Sequence, residues 1–129
     1  MDHLEIYVSS LKTSYTFYSW LLPQLGFEAY QNWAAGFSFR KKDFYLVFVQ
    51  TQAKYLTNGY NRCNVGLNHL AFSVSSRAKV DFFKKQLEQQ QVTLLYPERY
   101  PYAGGKDHYA CFFEDPDRIK LEIVARRKD

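Results

Sequence analysis

Asp2-His3-Leu4-Glu5-Ile6-Tyr7-Val8-Ser9-Ser10 returns as Asn68-His69-Leu70-Ala71-Phe72-Ser73-Val74-Ser75-Ser76, at a constant offset of 66 residues. The repetition decides the fold, because duplicated units of this size bury one joint core. Residues at matching positions then meet near the axis relating the halves. His3 and His69 become candidates for one shared site.

Leu4, Ile6 and Val8 alternate with His3, Glu5 and Tyr7, the two-residue period of a strand packed on one face, which turns His3 to the other. Ser9 and Ser10 offer caps for a helix in which Phe17, Leu21 and Tyr18, Leu22, Leu25 recur at three- and four-residue steps until Pro23 and Gly26 close it. A strand begins over Phe27 to Tyr30, and Gly36 to Arg40 with Phe44 to Val49 reads as a hairpin around Lys41-Lys42-Asp43. The second half repeats this order. A strand spans 68–74, a helix runs from about Arg77 to Gln89 with Val80, Phe83 and Leu87 on one stripe, a strand covers Val92 to Tyr96, and a hairpin follows. Two strand-helix-strand-strand-strand modules, 1–51 and 67–129, are therefore predicted, joined by an aperiodic linker over 52–66 that carries Asn58-Gly59.

The offset is still 66 at Tyr30 and Tyr96, but it is 75 at Phe37 and Phe112 and at Val47 and Glu122. Nine residues are thus expected to have been added between Tyr96 and Ala110. The stretch from Pro97 to Tyr109 is long for a hairpin connection and rich in glycine and tyrosine, the kind of loop that covers a site. In the last strand Lys120, Glu122 and Val124 share one face and Leu121 and Ile123 the other, which puts Glu122 on the same kind of face as the histidines. Either histidine alone would read as a satisfied polar residue. Their equivalence and the matching carboxylate instead make a facial set, His3, His69 and Glu122, that leaves positions open on a divalent metal. The symmetry-related fourth position is Val47, which cannot ligate. Iron, manganese, nickel, cobalt and zinc all suit such a set.

The remaining composition narrows the class. With 129 residues and 47% hydrophobic content the chain fills a core. The formal charge of +4 is spread over Lys41-Lys42, Lys84-Lys85 and Arg126-Arg127-Lys128, and most aromatics alternate inside strand-like runs, so a nucleic-acid partner is not expected. The longest apolar run, Phe44 to Val49, is far below the roughly 20 residues of a membrane span, and the start lacks a basic-then-apolar leader; a cytoplasmic protein is expected. Cys63 and Cys111 stand far apart and are read as packing residues, with neither a disulfide nor a zinc knuckle.

The openings from His3 to Val8 and from His69 to Val74, the Ser-x-x-Phe-Tyr-x-x-Leu-Leu-x-x-Leu-Gly-Phe run from Ser14 to Phe27, and Phe113-Glu114-Asp115-Pro116-Asp117-Arg118-Ile119-Lys120-Leu121-Glu122-Ile123 resemble the vicinal-oxygen-chelate superfamily. It includes glyoxalase I, bleomycin-resistance proteins, extradiol dioxygenases and fosfomycin-resistance enzymes. The resemblance implies an α+β fold of paired βαβββ modules whose sheets form a cupped, barrel-like cavity with a metal near the junction. It gives His3 the first-strand ligand, His69 the opening ligand of the second module and Glu122 the final-strand ligand. It also implies a small-molecule substrate bound through vicinal oxygens, lyase, isomerase or dioxygenase chemistry, and a homodimer.

Two departures from the family pattern matter. Glyoxalase I carries a glutamate where Val47 stands, which argues against that activity. Arg118 replaces the glycine usual after Asp-Pro-Asp, with an altered turn as the expected result. Lyase or isomerase chemistry needs a proton shuttle, for which Glu5, His108 and Tyr109 are the available groups; dioxygenase chemistry needs iron and an oxygen site. Each has a plainer reading: Glu5 as an edge polar residue, His108 as a solvated loop residue, Tyr109 as loop packing. Glu122 could pair with Lys120 or a tail arginine instead, and Asp115 with Asp117 reads as turn chemistry. The alternative function is a binding protein of bleomycin-resistance type that sequesters its ligand without catalysis.

Overall fold

A computed structural model describes residues 1–126; Arg127 and Lys128 of the basic tail lie outside the described residues. The backbone divides into two compact units, Met1–Tyr60 and from Asn61 onward. Hydrogen bonding runs in two separate four-stranded mixed sheets, one in each unit.

In the first unit β1 (His3–Val8), α1 (Leu11–Gln24), β2 (Glu28–Trp33), β3 (Gly36–Lys41) and β4 (Phe44–Gln50) follow in order. The sheet order is β1-β4-β3-β2, with β1 parallel to β4 and the other pairs antiparallel. Ser10 caps α1 by accepting from the Thr13 amide at 3.3 Å, which satisfies one of the orphan donors of the first turn. The helix closes where Gly26 takes φ +92° and the Phe27 amide returns to the Leu22 carbonyl; a glycine adopts that left-handed backbone at little cost. Tyr18, Leu21 and Leu22 on the helix and Ile6, Val8, Leu46 and Phe48 on the sheet are buried, each contributing about 1.5–3 kcal/mol relative to exposure.

The second unit repeats the plan with β5 (Leu70–Val74), α2 (Arg77–Gln89), β6 (Leu94–Leu95), β7 (Ala110–Glu114) and β8 (Lys120–Ala125). Its sheet order is β5-β8-β7-β6, again with the first strand parallel to the last. Ser76 caps α2, which packs on β7 and β8; Val80, Phe83 and Leu87 on the helix and Phe113, Leu121 and Ile123 on the sheet are buried. Among the described residues no helix is long and apolar enough to cross a membrane.

Several details depart from the expectations. The strand expected over Val92 to Tyr96 is only two residues long, because Tyr96 turns left-handed at φ 55° and Pro97 has no N–H to continue the ladder. The linker is not wholly aperiodic: Ala53–Asn58 forms a 3-10 turn. The nine added residues do not all lie before Ala110. Phe112 faces Glu122 as Ser38 faces Val47, so the third strands are offset by one residue less than the fourth, and one added residue belongs to the β7–β8 turn. In that turn Asp115 accepts from the amides of Asp117 and Ile119, both at 2.8 Å, as its turn reading required. Arg118 itself adopts φ 67°, the conformation glycine takes most cheaply. Cys111 is buried, and burial pushes its thiol up to about 12; Cys63 is exposed and does not pack as expected.

Candidate functional site

The two histidines are oriented by the same device. His3 Nδ1 lies 2.7 Å from Asp2 Oδ2, and His69 Nδ1 lies 2.6 Å from Asn68 Oδ1. In each case the preceding side chain holds one ring nitrogen and leaves Nε2 for another partner. The surroundings of the two rings then diverge. In the first unit His3 stacks on Tyr45, ring centroids 4.7 Å apart, and the strand position that carries Glu122 in its twin is the buried Val47. In the second unit His69 Nε2 lies 2.9 Å from Glu122 Oε1.

Glu122 is 3% exposed, and a buried carboxylate is costly unless its oxygens are paired. Both are. His69 takes Oε1, and His108 Nε2, from the added loop, takes Oε2. Neither Lys120 nor Arg126 is the partner: Lys120 Nζ donates to the Tyr96 hydroxyl at 3.0 Å and Arg126 to Ser73 Oγ at 2.7 Å. Two imidazole nitrogens and a buried carboxylate converge here, a nitrogen and oxygen donor set of the kind a divalent metal accepts. Among the described residues no three donors from His, Cys, Asp and Glu are already spaced to hold one.

The loop that delivers His108 is latched to α2. The hydroxyls of Tyr100 and Tyr109 both donate to Asp81 Oδ1, Tyr109 at 2.7 Å. Arg77 lies over the Tyr109 ring at 5.0 Å and Lys84 over the Tyr100 ring at 5.0 Å, and Tyr102 packs edge-on against Tyr109. Burial first, and the bond to Asp81 second, push both phenols above the ordinary tyrosine value. Gly104 fits beneath His108, where a Cβ would come within 2.6 Å of the imidazole Cδ2.

His69, His108 and Glu122 line an open cleft of about 410 Å³ in the second unit, with Tyr96 and Phe112 as aromatic walls and Arg99 and Lys120 beside them. Of the residues singled out from sequence, His69, Glu122 and His108 are brought together. Tyr109 donates its hydroxyl to Asp81 and is not among the residues lining this cleft. Glu5 is an exposed residue of β1 in the first unit, opposite Val47. Sequence reasoning missed Asp2 and Asn68, although the repeated acid-or-amide before each histidine was in view. It also missed Asp81 and Gly104, which carry no periodic signal.

A sequence model of the glyoxalase/bleomycin resistance protein/dioxygenase superfamily matches residues 1–123, and the chain belongs to that superfamily. It is 50% identical over 125 residues to the uncharacterized protein YqjT of Bacillus subtilis, covering 97% of this chain and 98% of that one. A Bacillus halodurans protein provisionally described as a glyoxalase superposes with a TM-score of 0.95 at 49% identity, over 97% of this chain and 94% of the other. The Listeria monocytogenes fosfomycin resistance protein FosX, complexed with Mn(II) and sulfate, shares the fold at a TM-score of 0.70 and 13% identity, over 98% and 92%. The α+β, glyoxalase-like architecture that the family resemblance implied is thereby established.

Proposed function

We propose that this protein is a cytoplasmic, homodimeric, metal-dependent enzyme acting on a small molecule with vicinal oxygens. His69, Glu122 and His3 are assigned as the protein ligands of a divalent metal. The observation that carries the reading is the buried Glu122 carboxylate facing the Nε2 of an imidazole whose other nitrogen is already engaged. When bound, such an ion supplies a Lewis acid that stabilises negative charge developing on a substrate oxygen. His69 and Glu122 would orient it, with Asn68 fixing the plane of the His69 ring. Tyr96 and Phe112 would exclude water from the body of the substrate.

His108 is assigned the proton transfer. Its Nε2 touches Glu122 and its ring lines the cleft, which places a proton-carrying group beside a bound molecule. Glu5 is kept as a further acid-base candidate, and Tyr109 is assigned to holding His108 in place. Anaerobic loading with iron followed by catechol turnover separates dioxygenase chemistry from the lyase or isomerase type. Ligand binding that is indifferent to every metal, with no turnover, would instead support sequestration.

A further inference from the structure

Around the cleft the charges do not balance. Among its described lining residues Glu122 is the one carboxylate, and both its oxygens are taken by imidazoles. Lys120 and Arg99 therefore face the cleft without an acid from its walls. Lys120 is partly buried, its Nζ 4.9 Å from the Tyr96 ring centroid and 5.1 Å from that of Phe112. Among the described residues its one polar partner is the neutral Tyr96 hydroxyl. Arg99 lies over the same Tyr96 ring at 4.7 Å, and its ion pair with Glu98 is long, 3.9 Å, and exposed, so water and salt screen it. Tyr96, whose ring both cations approach, has a left-handed backbone, φ 55°, which is costly for a tyrosine.

We infer that the cleft selects an anionic substrate, whose charged group is received by Lys120 and Arg99 across Tyr96 while its oxygens face Glu122 and the histidines. Lys120 and Glu122 are two residues apart on one face of β8, a separation of about 7 Å along the strand. A single small molecule with an acid group at one end and a vicinal oxygen pair at the other spans it. The aromatic walls suit a planar or short apolar body between the two. A carboxylate and a phosphate share the chemistry required. This deepens the proposed function and rests on the cleft being its site, although charge selection does not itself require the metal.

Catechol and 3,4-dihydroxybenzoate test it, since they carry the same oxygen pair and differ by one carboxylate. Their affinities are measured by calorimetry on the full chain, with and without manganese, for the wild type, Lys120→Gln, Arg99→Gln and the double variant, with metal content recorded for each sample. The carboxylate should strengthen binding about tenfold in the wild type, the scale of a charge-assisted hydrogen bond. That preference should weaken in each single variant, vanish in the double variant and fall with added salt. Equal affinities in the wild type, no binding of either compound, or a preference that survives in the double variant would overturn the inference. The recorded metal content judges the metal reading separately.

Discussion

Val47 and Glu122 hold the same place in the two units: each lies on the closing strand, paired across a parallel ladder with Glu5 and Ala71 respectively. The two units keep the same parallel ladder here and differ in the chemistry of the side chain it presents. Replacing Glu122 by valine should therefore make the second unit resemble the first there. The change leaves His69 and His108 without their shared partner, a cost of about 1–3 kcal/mol, so the melting midpoint should fall by roughly 5–15 °C with the fold retained. Metal uptake should be lost. Thermal denaturation monitored by circular dichroism, with metal analysis of the same sample, checks both.

Gly104 sets the reach of His108. An alanine there has an acceptable backbone but brings its methyl against the imidazole and within 3.3 Å of the Phe112 ring, so the exposed imidazole should yield first. A crystal structure of Gly104→Ala should show His108 displaced from Glu122 with the fold retained, at a stability cost of about 1–3 kcal/mol. Turnover should fall while metal content stays.

Asp81 ties the loop to α2 through two hydroxyls on one oxygen. Asp81→Ala leaves both without their acceptor and should cost about 1–3 kcal/mol. Hydrogen exchange should accelerate over 97–109 while β5 and β8 remain protected.

The same latch has an alkaline limit. Tyr100 and Tyr109 have folded-state pKa values above the ordinary 10.0, so the neutral phenols are favoured by folding. Their contribution to stability is complete below about pH 10 and declines as pH rises above it. Ultraviolet difference titration should show Tyr100 and Tyr109 among the tyrosines that ionise late, and in Asp81→Asn these two should move back toward the ordinary value.

The fold was legible because its signals are periodic. The two-residue alternation of Leu4, Ile6 and Val8 and the stripe of Val80, Phe83 and Leu87 report faces directly, and the duplicated opening supplied the plan twice. The site was legible to the extent that it sits on those elements: Glu122 alternates with Leu121 and Ile123, so its face could be read. His108 could be suspected from sequence but not paired with Glu122, since that contact depends on how thirteen loop residues from Pro97 to Tyr109 fold back. Asp81 looks like any solvated helix acid until the tyrosines arrive. Lys120 was read only as a possible partner of Glu122; its neighbour proved to be Tyr96, whose left-handed turn no alternation announces.

The metal content of the purified chain after loading and desalting tests the central claim most directly. Wild-type protein should retain about one divalent ion per chain, and His69→Ala and Glu122→Gln should each retain under about 0.2, since removing one of three ligands weakens a site by orders of magnitude. Wild-type protein that holds less than about 0.2, or variants that match it, would contradict the account.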